Sequence, residues 1–347
     1  MKALRLYGIN QLIYDEVPYP KHREDEVVIK VKAAGICGSD IPRIFEKGTY
    51  HFPTTIGHEF AGEIVEAAEP SLIGKGAAVI PLLPCHSCQD CQDGNYAQCE
   101  SYNYYGSRCD GGMSEYIAIK KDNLVMLPEG VSYLEGAMCE PTAVALHTLK
   151  KAGIREGSLV VIWGIGPIGL ILAQWARLVG AKDVILVARN DDKVAFAKKL
   201  GFSNAINAAT RDVFAYIQAI TNGQGADICI EGTGTSEALE GCLLNTNNFG
   251  KVVALGNPLG QMTVSQKGYW NILRREIQII GVWNSKFHAQ ENDWKDALMA
   301  FQMKKIDVLS LITHTFLLKD YQSAFDIMHK KKELYCKIML IGERNEL

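Results

Sequence analysis

The sequence predicts an α/β chain of two domains: a β-rich, barrel-like domain with long loops, and a doubly wound parallel sheet. Three observations carry this. Short apolar runs broken by Gly, Pro and Asp fill residues 1 to about 145. Beyond Pro141, continuous apolar runs alternate with helical segments at βαβ spacing. Four cysteines crowd one loop of the first region, at 85, 88, 91 and 99. The bulk properties agree: 347 residues, 48% hydrophobic and 22% charged, suit a soluble chain of about two domains. A net charge of -3 gives no reason to expect a nucleic-acid or membrane partner. The start, MKALRLYGIN, lacks the apolar core of a signal peptide, and no apolar run reaches the ~18 residues of a membrane span. Ten cysteines in such a chain point to a reducing, cytoplasmic compartment, where clustered thiols bind metal more often than they form disulfides.

In the first region, 26–31, 61–65, 77–81 and 115–119 read as strands. The loop from 84 to about 110 is too long to lie free in a compact domain. Its cysteines, Cys85, Cys88, Cys91 and Cys99, are spaced C-x2-C-x2-C-x7-C. Four thiolates match the tetrahedral shell of zinc and leave no open position, so this zinc is expected to staple the loop rather than do chemistry.

The second region begins with a helix over 142–152 and a strand over 159–163 that reads as buried on both faces. Gly164-Ile-Gly166-Pro167-Ile168-Gly169 follows and leads into a helix over 170–179. A G-x-G-x-x-G between a buried strand and a helix is a dinucleotide signature. The glycines give the tight turn, the close approach to a pyrophosphate and the packing of helix on strand, and free amides at the helix start hold the phosphates. Strands at 183–187, 205–206, 228–231, 251–255 and 277–281, with a helix over 193–200, complete the sheet. Helices over 294–304 and 321–331 and a strand over 336–341 close the chain.

An NAD site would place a carboxylate at the end of the second strand. Ala188 stands there and Arg189 follows, a pair that favours the 2′-phosphate of NADP over NAD. The alternative is that Arg189 is a surface arginine and Asp191 or Asp192 serves the ribose of NAD. Gly256, Asn257, Val282 and Trp283 follow two further strands and are expected to flank the nicotinamide, because ligands bind at the carboxyl ends of parallel strands.

A second set of metal ligands is scattered. Cys37-Gly38-Ser39-Asp40 precedes Gly57-His58-Glu59, and Cys139-Glu140-Pro141 comes much later. Thiolate, imidazole and carboxylate all bind zinc, and three protein ligands leave a position for substrate. An open zinc polarises an alcohol oxygen. Asp40 is a candidate acceptor for the N–H of His58, and Ser39 a candidate relay for the alcohol proton. Singly, each has a plainer reading: a small buried thiol, a core histidine, a charge at a helix start.

In order and spacing, GICGSD at 35–40, GHEFAGEI at 57–64, the four-cysteine loop, DGGMSEYI at 110–117, CEP at 139–141 and GIGPIG at 164–169 resemble the zinc-containing medium-chain alcohol and polyol dehydrogenases over essentially the whole chain. The resemblance implies a GroES-like catalytic domain, 1–145 plus 295–347, interrupted by a Rossmann domain, 146–294, with the active site in the cleft between them. It implies two zinc ions: one catalytic on Cys37, His58 and Glu140, with Glu59 a carboxylate able to approach or exchange at the metal, and one structural on the four cysteines. Cys139 beside Glu140 leaves the third ligand open. Ser39 inherits the proton relay.

The runs CGSDIPRIFEKGTYHFPTTIGHEF, PLLPCHSCQDC and YYGSRCDGG are similar to the branch that oxidises galactitol 1-phosphate to a ketose phosphate. Arg43, Lys47 and His51 are then candidates to place the phosphate. Free polyols, threonine and simple secondary alcohols are the alternative substrates, and a non-catalytic zinc and nucleotide binder the alternative class. The family resemblance also implies a homodimer or homotetramer, formed through the edge of the nucleotide domain at 277–281 or 251–255.

Overall fold

The structure is a computed structural model and describes residues 1–258 and 260–342. It divides into two compact units. One is Met1–Ala143 with the described residues from Lys286 on; the other is Val144–Ser285. Among the described residues no helix is long and apolar enough to cross a membrane.

The first unit is built on a seven-stranded sheet. Its order is Leu124–Met126, Gly76–Val79, Glu59–Ala67, Glu26–Gly35, Lys337–Ile341, Ile312–Leu317, with Tyr116–Lys120 also paired to Glu26–Gly35. Only Ile312–Leu317 and Lys337–Ile341 run parallel to each other. Alternating apolar residues explain the faces: Val27, Ile29, Val31, Ile64, Ile338 and Leu340 all enter one core with Leu4, Leu6 and Phe60. Register matters for the site. Gly35 lies opposite both Glu59 and Met339, which brings the start of one neighbouring strand close to the start of the other. Gly35 has to be glycine, because a Cβ there would overlap the Glu59 carboxylate.

Leu82–Leu83 pairs antiparallel with Asn103–Tyr104 and closes the cysteine loop at its base. Between them the loop makes the short helix Gln89–Gln92 and the 3-10 turn Tyr96–Gln98. The strand Ile312–Leu317 had no counterpart in the sequence reading. Its pattern is half-exposed and lacks the apolar run that marks its partner Lys337–Ile341.

The second unit is a six-stranded, all-parallel sheet in the order Ala205–Asn207, Asp183–Ala188, Leu159–Trp163, Ala226–Glu231, Thr246–Ala254, Gln278–Gly281. This is the doubly wound order with its crossover beside the first strand. Leu159–Trp163 is central and almost wholly buried, as its continuous apolar run required. Three helices not individually foreseen, Val213–Ile220, Ser236–Asn245 and Gln266–Arg274, start at Asp212, Thr235 and Ser265, whose side chains accept the orphan amides of the first turn. One expectation is corrected. Residues 251–254 belong to Thr246–Ala254, which is flanked on both sides by strands and offers no edge. The edge strands are Ala205–Asn207 and Gln278–Gly281, and of the two expected positions only the latter lies on an edge.

Candidate active site and metal centres

The strand Glu26–Gly35 delivers the chain to Cys37 and Ser39, which stand just before the single helical turn Asp40–Pro42. His58 and Glu59 come from the opposite direction, after Gly57, whose φ of +96° only glycine adopts without strain. Among the described residues the ligand atoms of Cys37, His58 and Glu59 lie within 4.8 Å of one another. Glu140 sits in the first turn of Cys139–Ala152, buried, with the Tyr104 hydroxyl donating to its Oε1 at 3.4 Å. Glu140 falls outside the tight threesome, yet it is near enough for the charges of His58 and Glu59 to act on it.

The electrostatics of this centre ask for a cation. Burial, followed by the negative charges of Glu59 and Asp40, pushes the Cys37 thiol up to about 12. Burial likewise raises the Glu140 carboxyl to about 7, with Glu59 adding to the rise and His58 opposing it. Several anionic donors packed out of water are costly unless a positive charge joins them. One is present: Lys337, almost fully buried, donates to Glu59 Oε2 and to the Ile36 carbonyl. A soft thiolate, an imidazole and carboxylates are the donor set of zinc, so the residues present fit that ion.

The hydrogen bond expected from His58 to Asp40 does not form. The Asp40 Oδ1 lies 3.6 Å from Nδ1, and among the described residues that buried nitrogen has no hydrogen-bond partner. The carboxylate is committed elsewhere: Oδ2 accepts the Cys37 amide at 3.0 Å and Oδ1 accepts Arg43 at 2.8 Å. Asp40 therefore shapes the Cys37 turn. The Ser39 side chain makes no cap bond, which leaves its hydroxyl available. The thiol of Cys139 faces the Trp294 carbonyl at 3.5 Å. Of the CEP pair, only Glu140 is directed toward His58 and Tyr104.

The four loop cysteines also converge, their sulfurs within 4.8 Å of one another. Cys85 is the clearest thiolate. The Ser87 hydroxyl first, then the Ser87 and Cys88 amides, all donate to its sulfur and hold it down at about 5. Cys91 is the opposite case: burial, then the Cys88 and Cys99 thiols, push it up to about 12. Thiols so close resist sharing negative charge until a cation joins them. All ten cysteines are free.

In the second unit, Gly164 has φ +120°, a conformation that disfavours any side chain. A Cβ at Gly169 would overlap the Gly164 carbonyl oxygen, so this glycine sets the approach of helix to turn. A Cβ at Gly166 would meet nothing within 4 Å. Gly166 caps Pro167–Leu178, with Pro167 and Ile168 in its first turn and no side chain on the free amides. The helix therefore starts three residues earlier than the apolar run alone suggested. Ala188 ends its strand without a carboxylate, and Arg189 pairs with Glu237 at 2.7 Å, both ends exposed. Asp191 accepts from Asn207 at 2.8 Å. Gly256 follows Thr246–Ala254 closely enough to Thr233 and Gly234 to exclude a side chain. Val282 and Trp283 follow Gln278–Gly281; Val282 is buried and Trp283 about half exposed.

Sequence reasoning missed Lys337, Tyr104 and Glu231. Lys337 lies in an apolar strand far from every motif. Tyr104 opens the run YYGSRCDGG, where nothing in the local pattern marks a tyrosine as a site residue. Glu231 ends a parallel strand, buried, and its Oε1 accepts the amides of Thr233 and Gly234.

Two family models match: the alcohol dehydrogenase GroES-like domain over residues 23–129 and the zinc-binding dehydrogenase domain over 167–303. Galactitol 1-phosphate 5-dehydrogenase of Escherichia coli K12 is 33% identical over 316 residues, 88% of this chain and 90% of that protein. Sorbitol dehydrogenase of Halalkalibacterium halodurans is 31% identical over 332 residues, 94% and 95% of the two chains. The crystal structure of galactitol-1-phosphate dehydrogenase from Escherichia coli superposes with a TM-score of 0.91 at 30% identity, covering 98% of this chain and 100% of that one. Two further structures match with TM-score 0.89 at 28% identity over 98% of this chain. One is a zinc-binding dehydrogenase of Sinorhizobium meliloti bound to NADP, covered over 98% of its length; the other, an alcohol dehydrogenase of Escherichia coli CFT073 with NADH, over 99%. The first unit is thus GroES-like and the second Rossmann-like. With its converging donors and its glycine turn, the chain belongs to the zinc-containing medium-chain dehydrogenase family, oxidoreductases that act on CH–OH groups with NAD(P).

Proposed function

We propose that this enzyme oxidises a secondary alcohol of a polyol phosphate, galactitol 1-phosphate, to the ketose phosphate. The observation that carries the chemistry is the convergence of half-buried Cys37 with buried His58 and Glu59, beside buried Glu140. The substrate rests on the likeness to galactitol 1-phosphate 5-dehydrogenase. Cys37, His58 and Glu140 would hold the catalytic zinc, with Glu59 as the adjoining carboxylate, and the four loop cysteines a structural zinc. When bound, the catalytic ion supplies Lewis-acid polarisation of the alcohol oxygen. Ser39, with its hydroxyl uncommitted at the mouth of a turn, takes the alcohol proton and passes it toward solvent. Asp40 keeps the Cys37 turn in shape. Lys337 fixes the Glu59 carboxylate over Gly35.

The glycine turn from Gly164 to Gly169 holds the pyrophosphate, and Gly256, Val282 and Trp283 flank the nicotinamide. NADP is favoured over NAD by Ala188 and Arg189, provided the 2′-phosphate draws Arg189 from the exposed Glu237. The enzyme works as a homodimer or homotetramer. A second reading, a free polyol as substrate, is favoured by the likeness to sorbitol dehydrogenase. A panel of galactitol 1-phosphate, galactitol, sorbitol, threonine and 2-butanol, each with NAD and with NADP, separates the readings. The expected result is a kcat/KM at least about tenfold higher for the phosphate ester. Equal values for the ester and the free polyol would defeat the phosphate reading.

A further inference from the structure

A polyol phosphate needs a cation for its dianion, and the sequence offered Arg43, Lys47 and His51. The structure commits two of them elsewhere. Arg43 is paired with the buried Asp40 at 2.8 Å. The ring of His51 bridges Thr54 at 3.1 Å and the Arg108 carbonyl at 3.0 Å. Lys47 is exposed at the end of its turn.

Arg108 is different. Its guanidinium carbon lies 4.3 Å from the ring centre of Tyr50 and 4.3 Å from that of Tyr102. Two N–H groups are used, one on the Tyr102 carbonyl at 3.2 Å and one on the Tyr50 hydroxyl at 3.3 Å. Among the described residues no carboxylate pairs with Arg108, and Asp110, two residues on, is taken by Arg5 and the Thr55 amide. Aromatic contacts on the faces of a guanidinium leave its remaining edge donors free, and that edge matches two phosphate oxygens. Holding the side chain in advance also removes most of the ordering cost that an exposed lysine would meet on binding.

The position fits. The Tyr102 ring meets the Tyr104 ring at 6.4 Å; the Tyr104 ring meets His58 at 5.7 Å and its hydroxyl reaches Glu140. A short aromatic wall therefore runs from the metal centre to the guanidinium, with Tyr50 largely exposed at its outer end.

We propose that Arg108, clamped by Tyr50 and Tyr102, is the specificity residue that receives the phosphomonoester of the substrate. This rests on the polyol-phosphate reading, and two measurements keep the failures apart. The first compares kcat/KM for galactitol 1-phosphate with that for galactitol in wild type, Arg108→Gln and Arg108→Lys. The ester-to-polyol ratio is expected to fall about 10- to 100-fold in Arg108→Gln, mostly through KM, with partial recovery in Arg108→Lys. Where the wild type prefers the ester, an unchanged ratio in Arg108→Gln overturns the proposal. The second titrates inorganic phosphate calorimetrically into the zinc-loaded protein without cofactor, so that no turnover is needed. Binding should weaken at least about tenfold in Arg108→Gln. Equal binding by both proteins, or none by the wild type, overturns the assignment whatever the substrate. If the wild type shows no preference for the ester while phosphate binding still depends on Arg108, the substrate reading has failed and the anion site stands. A stronger response to acetate than to phosphate would make it a carboxylate site and refute the phosphomonoester.

Discussion

Lys337 and Glu59 are an ion pair with almost no access to water, next to residues that would hold a metal. Two buried charges tolerate each other only as a set, so removing one leaves the other uncompensated at a cost of about 3–5 kcal/mol. Lys337→Met should therefore lower the urea-unfolding free energy by that order, and adding Glu59→Gln should restore part of it. A single variant as stable as wild type would show that the ammonium does not balance this charge. The pair could not be read from the sequence, because 278 positions separate its members and Lys337 sits in a run that otherwise spells an apolar strand. The ligand candidates were legible because a thiol, an imidazole and a carboxylate recur in tight motifs. The commitments of Asp40 were not legible: its carboxylate accepts Arg43 and the Cys37 amide and stands 3.6 Å from His58.

At the scale of elements, the cysteine loop and the glycine turn behave differently. The loop has little apolar packing of its own, though Tyr96 meets Phe287 and His288 in the same unit. On the proposal that its four sulfurs share a zinc ion, that ion would supply much of its shape. Cys99→Ser is expected to reduce bound zinc from about two ions per chain to about one, by elemental analysis, and to open residues 84–102 to limited proteolysis. Full zinc content in the variant would remove the loop from the list of metal sites. The glycine turn depends on no ligand, since Gly164 and Gly169 are required by backbone contacts already present. Its element boundaries were the least legible part. The apolar run began at 170, but the helix begins at Pro167, because proline and glycine mark a helix start by backbone geometry rather than by hydrophobicity.

For the whole molecule, the edge of the six-stranded sheet is the feature that calls for a partner. Among the described residues Gln278–Gly281 pairs on one side only, Ile279 is about half exposed, and the preceding helix Gln266–Arg274 exposes Tyr269, Trp270 and Leu273. A strand edge left open beside exposed apolar side chains invites association. Light scattering of the purified protein should show a dimer or tetramer, and Ile279→Asp should shift it toward monomer while leaving the fold intact by circular dichroism. A monomeric wild type, or an assembly indifferent to Ile279→Asp, would count against this edge as the interface.

The sequence by itself determined the class of chemistry. Metal ligands and phosphate turns need particular residue types at short fixed spacings, and these survive as local patterns: C-x2-C-x2-C-x7-C, GHE, GIGPIG. Only the tertiary structure decided which charges meet. It set Glu59 against Lys337, turned Cys139 away from Glu140's neighbours, took Arg43 out of play and left Arg108 between two tyrosines. Those outcomes depend on pairings between strands and loops far apart in the chain, where each side chain's partner is set by register and burial rather than by its sequence neighbours.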